Sequence, residues 1–358
     1  MSRDSSCGSA EYLMALREKF VRHRVPGTGS FELTSCCNLG CIHCYLKDPE
    51  AEQTGELSTG QWLSIIDQIT EAGCLNLLIT GGEPLLHPGF ADIYQHAKKK
   101  GLLVTLFTNG TLVNEAILDV FEDLPPQLIE ISLYGATEKT YEAITGVPGS
   151  FNRCINNIRT IKQRHLNLGL KTVLLTRNRH ELKQLRVMAR DLGVPFRLDP
   201  AIFPRLNGAA DPIALRVPAP EAVAIEFEDS GCLKDWKKFF SRMRDLPGDD
   251  RLFTCGAGLT SFHVDSSGNL VPCLMMREPV YNLLQGSFTK GWTEVIAGLR
   301  ELKVHDDYQC SHCEKRFLCG LCPGFSKLEQ GALEGLSPYL CSLGEERFKA
   351  VSAGPYSR

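Results

Sequence analysis

The chain has 358 residues, 43% of them hydrophobic and 23% charged, enough to bury the core of one large domain and a smaller one. A formal net charge of -3 with no Lys/Arg run leaves no electrostatic footprint for nucleic acid, and no apolar run reaches membrane-spanning length. Met1 to Phe20 holds no apolar stretch behind a basic head, so a cytoplasmic protein is expected, and its 15 cysteines, which bunch into three clusters, read as metal ligands rather than disulfides.

In chain order, a short helix carrying Leu13, Leu16 and Phe20 on one stripe crosses Pro26-Gly27 into a strand, Ser30 to Thr34. Ser58 and Gln61 form a capping box opening a helix whose Trp62, Ile65, Ile66 and Ile69 share a face, and Leu75 to Thr80 is a buried strand. The alternation continues with helices near 90–100, 114–121, 151–163 and 180–192 and strands over 102–107, 128–133, 168–175 and 195–198. Six strands alternating with helices predict a parallel sheet, either doubly wound or curled into part of a barrel. A Pro-rich connector over 199–248 has one helix around 233–243. Beyond it, Ser261 to Val264 and Asn269 to Val271, joined by Asp265-Ser266-Ser267-Gly268, read as a β-hairpin, and cysteines dominate to Cys341.

The first cluster, Cys37-Asn38-Leu39-Gly40-Cys41-Ile42-His43-Cys44, puts three thiols on a loop directly after a strand. Three thiolates on a cubane [4Fe-4S] cluster leave one iron open to a substrate or cofactor. The competing reading is a zinc site completed by His43 or Cys36. One βαβ unit later, Thr80-Gly81-Gly82-Glu83-Pro84 sets two glycines and a carboxylate at a strand end, where backbone can approach a ligand closely.

These residues resemble the radical S-adenosylmethionine (SAM) superfamily over roughly Gly29 to Pro200. The resemblance implies a partial (β/α)6 TIM-like barrel, with the site at the C-terminal ends of the strands. It implies that Cys37, Cys41 and Cys44 hold a [4Fe-4S] cluster whose open iron chelates SAM. By the same likeness His43 lies near the adenine, Gly81, Gly82 and Glu83 meet the methionine amino group, and Ser132 meets the ribose. Tyr134, where relatives carry Asp, and Thr145-Gly146, where they carry Arg before the glycine, depart from the pattern.

Cys255 and Cys273 flank the hairpin, and Cys310, Cys313, Cys319, Cys322 and Cys341 follow: seven thiols, too many for one tetrahedral metal. A pair of structural zinc sites is the alternative. The stretch resembles the SPASM extension, which implies two auxiliary [4Fe-4S] clusters: Cys255, Cys273 and Cys322 on the nearer one, with an open iron or a non-cysteine ligand, and Cys310, Cys313, Cys319 and Cys341 on the farther. The x2 spacing before Cys322, where x3 is usual, and the absence of an eighth cysteine in Gly256 to Pro272 are departures.

The expected organisation is therefore an α/β chain with an N-terminal helix and linker (1–28), a barrel plus connector (29–248), a smaller cysteine-rich domain containing the hairpin (249–345) and a tail (346–358). Asp199, at the last strand end, is a candidate general base or substrate contact, or simply a turn cap before Pro200. Arg205 is a weaker candidate, and His87 reads as a surface histidine. The expected activity is reductive cleavage of SAM and hydrogen abstraction from a peptide or protein, with flavodoxin or ferredoxin as electron donor. With about 28 residues ahead of the barrel, a separate leader-binding protein or the C-terminal domain would recognise a precursor. The rivals are a decarboxylase or dehydrogenase acting on a small molecule such as a tetrapyrrole, and a non-catalytic iron-sulfur electron carrier or metal-binding regulator.

Overall fold

The computed structural model describes residues 9–46, 55–246 and 250–353, so Cys7, the side chain of Leu13 and residues 354–358 of the expected tail lie outside the described part. Nine strands form one sheet, in the order β6-β5-β4-β3-β2-β1-β7-β8-β9. The first six are β1 (Thr28–Glu32), β2 (Asn76–Thr80), β3 (Leu103–Thr108), β4 (Leu128–Ser132), β5 (Leu168–Val173) and β6 (Phe196–Asp199). All are parallel and neighbours in sequence order. This open sheet is the partial barrel: every strand points its C-terminal end to the same side, and helices return the chain across the outer face.

The helices follow from local chemistry. After α1 (Ser9–His23), α2 (Thr59–Glu71) starts at the expected capping box, Gln61 Oε1 accepting the Ser58 amide at 2.7 Å, and buries Trp62, Ile65, Ile66 and Ile69. α3 (Phe90–Lys99), α4 (Glu115–Asp123), α5 (Glu138–Thr145), α6 (Ser150–Gln163) and α7 (Leu182–Leu192) complete the outer layer. The connector holds two helices where one was expected, α8 (Ala219–Phe227) and α9 (Ser230–Met243). None of the described helices is long and apolar enough to cross a membrane.

The hairpin falls where expected, as β7 (Ser261–Val264) and β8 (Asn269–Val271), with β9 (Tyr281–Asn282) beyond. Asp265 Oδ1 closes its turn by accepting the Ser267 and Asn269 amides at 3.0 and 2.9 Å. The expected boundary near residue 248 does not break the sheet, because β7 runs parallel to β1, Thr28 opposite Ser261 through Phe31 opposite Val264. The reason is steric: Gly29 has no side chain, and a Cβ there would stand 2.6 Å from the Phe262 ring. Phe262, Phe288 and Trp292 thereby join Phe31 and Trp62 in the main core, while Leu252, Phe253, Met276 and Leu299 make a small separate one.

After a single turn, α10 (Phe288–Lys290), the cysteine-rich stretch carries α11 (Pro323–Gln330) and α12 (Pro338–Ser352). α12 continues through the expected boundary at 345, since Arg347 is buried and bonded to Glu226 of α8 (2.8 Å) and to the Leu318 carbonyl (2.8 Å).

Candidate active site

The cysteine loop after β1 is fixed from three directions. From below, the Gly82 and Glu83 amides donate to the Thr34 and Cys36 carbonyls, both at 2.8 Å. From the side, Gly40 and Ile42 donate to the last carbonyls of α5, Thr145 (2.7 Å) and Ile144 (3.0 Å). From above, Arg205 Nη1 donates to the Cys44 carbonyl at 2.6 Å while pairing with Asp211. Arg205 is thus a clamp on the loop. Gly81, at φ +135°, and Gly82 permit the close passage: a Cβ on them would lie 2.4 Å from the Thr34 oxygen and 2.2 Å from the Cys36 oxygen.

Held this way, Cys37, Cys41 and Cys44 line a cavity of about 320 Å³ at the strand ends, together with His43, Gly81, Gly82, Ser132 and Asp199. Among the described residues, no three His, Cys, Asp or Glu side chains close on a single ion-sized point. The Leu39 amide donates to Cys37 Sγ at 3.4 Å. Burial pushes the Cys37 thiol up.

Glu83 is placed differently from the expectation. It is fully buried beneath the loops and does not line the cavity, because its carboxylate is turned onto the Thr108 hydroxyl (2.7 Å), the Asn109 amide (2.7 Å) and the Leu85 amide (3.2 Å). Burial raises its carboxyl to about 7 against those three donors. It ties the ends of β2 and β3 together rather than facing the cavity. His87 is likewise buried, between the Leu57 carbonyl and the Gly89 amide, and is not the surface residue expected.

His43 is buried with Nδ1 unpaired, its ring edge-on to Tyr134 at 4.6 Å, and burial plus the Arg205 guanidinium push it down to about 4, so it is neutral. Tyr134 is in hydrogen-bond reach of Ser132, and burial holds its phenol well above the usual range. The backbone position where relatives carry Arg, Thr145-Gly146, serves here to seat the cysteine loop, with Gly146 capping α5 at φ 72°.

Sequence reasoning missed Asn109. Its Nδ2 donates to Asn38 Oδ1 at 2.8 Å and lies 3.9 Å from Cys37 Sγ, and its Oδ1 accepts the Thr111 amide and hydroxyl. The signal was Thr108-Asn109-Gly110 at a strand end, with Gly110 at φ 74°. It also missed the far wall, on β3 to β6. There Lys171 Nζ sits 3.1 Å over the Phe107 ring and 3.7 Å from Glu130, whose carboxylate is already gripped by Arg197 through both oxygens at 3.0 and 2.6 Å. Burial pushes Lys171 down to about 7, Glu130 opposing. Asp199 on this wall lines the cavity and accepts the Ala201 amide at 3.0 Å, with burial raising its carboxyl.

The C-terminal thiols sort into two electrostatic neighbourhoods. Burial raises Cys273 to about 11, with Cys322 and Cys255 contributing, and burial lifts Cys322, with Cys255 contributing. Burial likewise raises Cys319 to about 11, with Cys310, Cys341 and Cys313 contributing. Backbone amides of Met276 and Phe325 donate to Cys273 Sγ (3.3 Å) and Cys322 Sγ (3.4 Å). Leu274, next to Cys273, lines the main cavity. Cys74 and Cys154 are buried, Cys232 is partly exposed, and Cys36 is engaged through its carbonyl.

Residues 31–189 match the model of the Radical SAM superfamily. Residues 31–189 are thus a radical SAM domain. It is similar to AdoMet-dependent heme synthases of Methanosarcina barkeri (strain Fusaro / DSM 804), 32% identical over 47% of this chain and 48% of that one, and of Oleidesulfovibrio alaskensis, 24% identical over 82% and 81%. It is 30% identical to the antilisterial bacteriocin subtilosin biosynthesis protein AlbA of Bacillus subtilis, over 51% of this chain and 43% of AlbA. It thus spans about half the length of two of these relatives. The fold is that of Streptococcus suis SuiB, solved bound to its precursor peptide SuiA: TM-score 0.72 at 16% identity, covering 94% of this chain and 82% of SuiB. That superfamily uses a [4Fe-4S] cluster and SAM.

Proposed function

We propose that this radical SAM enzyme oxidatively modifies a peptide or protein, with Cys37, Cys41 and Cys44 as ligands of the cluster that meets SAM. The residues fit those groups: three thiols face one cavity, the Gly81-Gly82 turn has no room for side chains, and His43 Nδ1 is an unpaired buried nitrogen on the same lining. When bound, the pair supplies a 5′-deoxyadenosyl radical by reductive cleavage of SAM. The chain's own task is to seat the loop, keep His43 neutral beside the nucleoside, place Ser132 at the ribose and exclude water. Cys255, Cys273 and Cys322 would hold one auxiliary cluster and Cys310, Cys313, Cys319 and Cys341 another, with N–H···S bonds stabilising the thiolates. A flavodoxin or ferredoxin would supply electrons, and a separate protein would present a precursor leader.

The observation that carries the peptide reading is a second cleft beside the cavity. This open cleft of about 540 Å³ shares the lining residues Tyr45 and Leu46 with the main cavity. Such a cleft suits an extended backbone that inserts one side chain, and a cavity near the small end of ligand pockets, which must also take the cofactor, favours a side chain over a macrocycle. The fold match to SuiB supports it. The second reading, a tetrapyrrole substrate, is favoured by the long alignment with a heme synthase.

The test is anaerobic reconstitution with iron and sulfide counted, then 5′-deoxyadenosine assayed with SAM and dithionite. Product mass is followed with peptides encoded beside the gene and with a propionate-bearing tetrapyrrole. Loss of hydrogen from a peptide supports the first reading, carbon dioxide release from the tetrapyrrole the second, and zinc without SAM cleavage overturns both.

A further inference from the structure

The residues assigned to the cluster and cofactor lie on the cysteine loop, on the turn after β2 and at the end of β4, and none of them is one of the charged residues Glu130, Lys171, Arg197 and Asp199 on the far wall. On that wall Arg197 spends its two strongest bonds on Glu130, so the nearer Glu130 oxygen stays 3.7 Å from Lys171 Nζ, outside hydrogen-bond distance. Asp199, the other carboxylate on the wall, is turned onto the Ala201 amide and forms no ion pair with Lys171. The Lys171 side chain is 19% exposed, and Lys171 is on the lining of the cavity. A buried ammonium held by one ring face and one long contact is under-compensated, and the group that completes it is an anion able to accept a short, charge-assisted hydrogen bond.

We infer that Lys171 is the anchor of a carboxylate subsite, and that a carboxylate of the molecule entering the cavity makes an ion pair with its ammonium over Phe107. Resting on the peptide reading, this narrows the substrate to a chain presenting an acidic side chain or a terminal carboxylate to the wall. The lysine fits that task better than proton transfer to Glu130, whose two oxygens already accept from Arg197. Binding the anion raises the proton affinity of Lys171 back toward that of a free lysine, so the complex takes up a proton near neutral pH. Glu130, Arg197, Asp199 and the buried carboxyl of Glu83 are the titratable and charged groups that act on it, and they remain in place in both states.

Two carboxylates are available to such a site, the substrate's and that of SAM, and two titrations of the reconstituted full-length enzyme separate them. SAM-saturated wild type, Lys171→Met and Lys171→Arg are titrated calorimetrically with N-acetyl-glutamate N-methylamide and with its glutamine counterpart. The same proteins are titrated with SAM and with decarboxylated SAM. For a substrate carboxylate, wild type prefers the glutamate probe at least tenfold, Lys171→Met abolishes the preference, Lys171→Arg keeps part of it, and SAM affinity is unchanged in all three. For the cofactor's carboxylate, Lys171→Met instead loses at least tenfold in SAM affinity and no longer distinguishes it from the decarboxylated form. Lys171→Met that binds all four probes as wild type does overturns the inference while leaving the radical reading intact. Wild type that binds no SAM overturns both. Lys171→Arg and the cluster absorbance report on folding should Lys171→Met fail to load.

Discussion

The two sulfur-bearing regions of the molecule are built in opposite ways. The barrel thiols lie within eight residues on one loop, and that loop is pinned by backbone hydrogen bonds to the ends of β2 and α5. The C-terminal thiols are gathered from residues 255 to 341, and short turns and two helices bring them together. A contiguous loop can be seated by its neighbours before any metal arrives. A set drawn from distant segments has little to hold it but the metal itself, so metal binding and folding are coupled more tightly there.

Breaking the comparison at its strongest point, Cys41→Ala should abolish 5′-deoxyadenosine formation, a loss of at least about a hundredfold, with about four irons lost per chain. Cys310→Ala should remove a similar amount of iron while SAM cleavage without substrate continues, and its thermal midpoint should fall further than that of Cys41→Ala. Equal thermal losses would mean that the barrel loop depends on its metal as much as the C-terminal set does.

The seating of the loop is tested next by Gly82→Ala. The added methyl would stand 2.2 Å from the Cys36 carbonyl, so the loop must move. Overpacking of this kind costs about 1–3 kcal/mol, read from urea denaturation, and cluster loading should drop more than the stability alone accounts for. A smaller effect is expected from Asn109→Ala, which removes the donor to Asn38 Oδ1 at a cost of about 1–3 kcal/mol. The electron paramagnetic resonance spectrum of the reduced barrel cluster should shift, whereas that of the auxiliary clusters should not.

The smallest expected effect concerns pH. Burial holds the Lys171 amine down at about 7, from an ordinary value of 10.5. Between those values this lysine carries more protons in the unfolded chain than in the folded one, so its contribution to stability rises with pH across that window, and the cost of burying the ammonium is felt in full below it. Lys171→Met lacks that rise. The stability of the variant relative to wild type, measured by anaerobic urea denaturation between about pH 7 and about pH 10, should therefore fall as pH increases. A constant difference would place the amine in water.

Much of the architecture was legible because it is written locally. The Ser58-Gln61 box, the Ile65, Ile66 and Ile69 stripe and the Asp265 to Gly268 turn each carry their own chemistry, and all three formed as read. Cys37, Cys41, Cys44, Gly81, Gly82, Ser132 and Asp199 converged on one cavity because strand ends in a parallel sheet share a side. What could not be read was set by contacts between distant segments. Glu83 turned inward because Thr108 and Asn109 arrive beneath it from β3. Lys171 and Arg197 sit in strands whose runs read as plain core, and only the register Lys171 opposite Arg197 brings them to one wall. Helix α5 was overlooked since eight residues carry too short a pattern, though its Thr137 cap and Gly146 stop are plain in retrospect.

The seam between β1 and β7 sets the order in which the protein can be made. Ser30 and His263, bonded at 2.8 Å across that seam, are separated by 233 positions, so a ribosome releases β1 long before the strand that covers its edge. Until then the strand leading into the cysteine loop has one open flank, a template for pairing with another nascent chain. Iron delivery that waited for the hairpin would meet a sheet already closed on that side. Chains cut short before residue 261 should collect in the insoluble fraction, whichever thiols they retain.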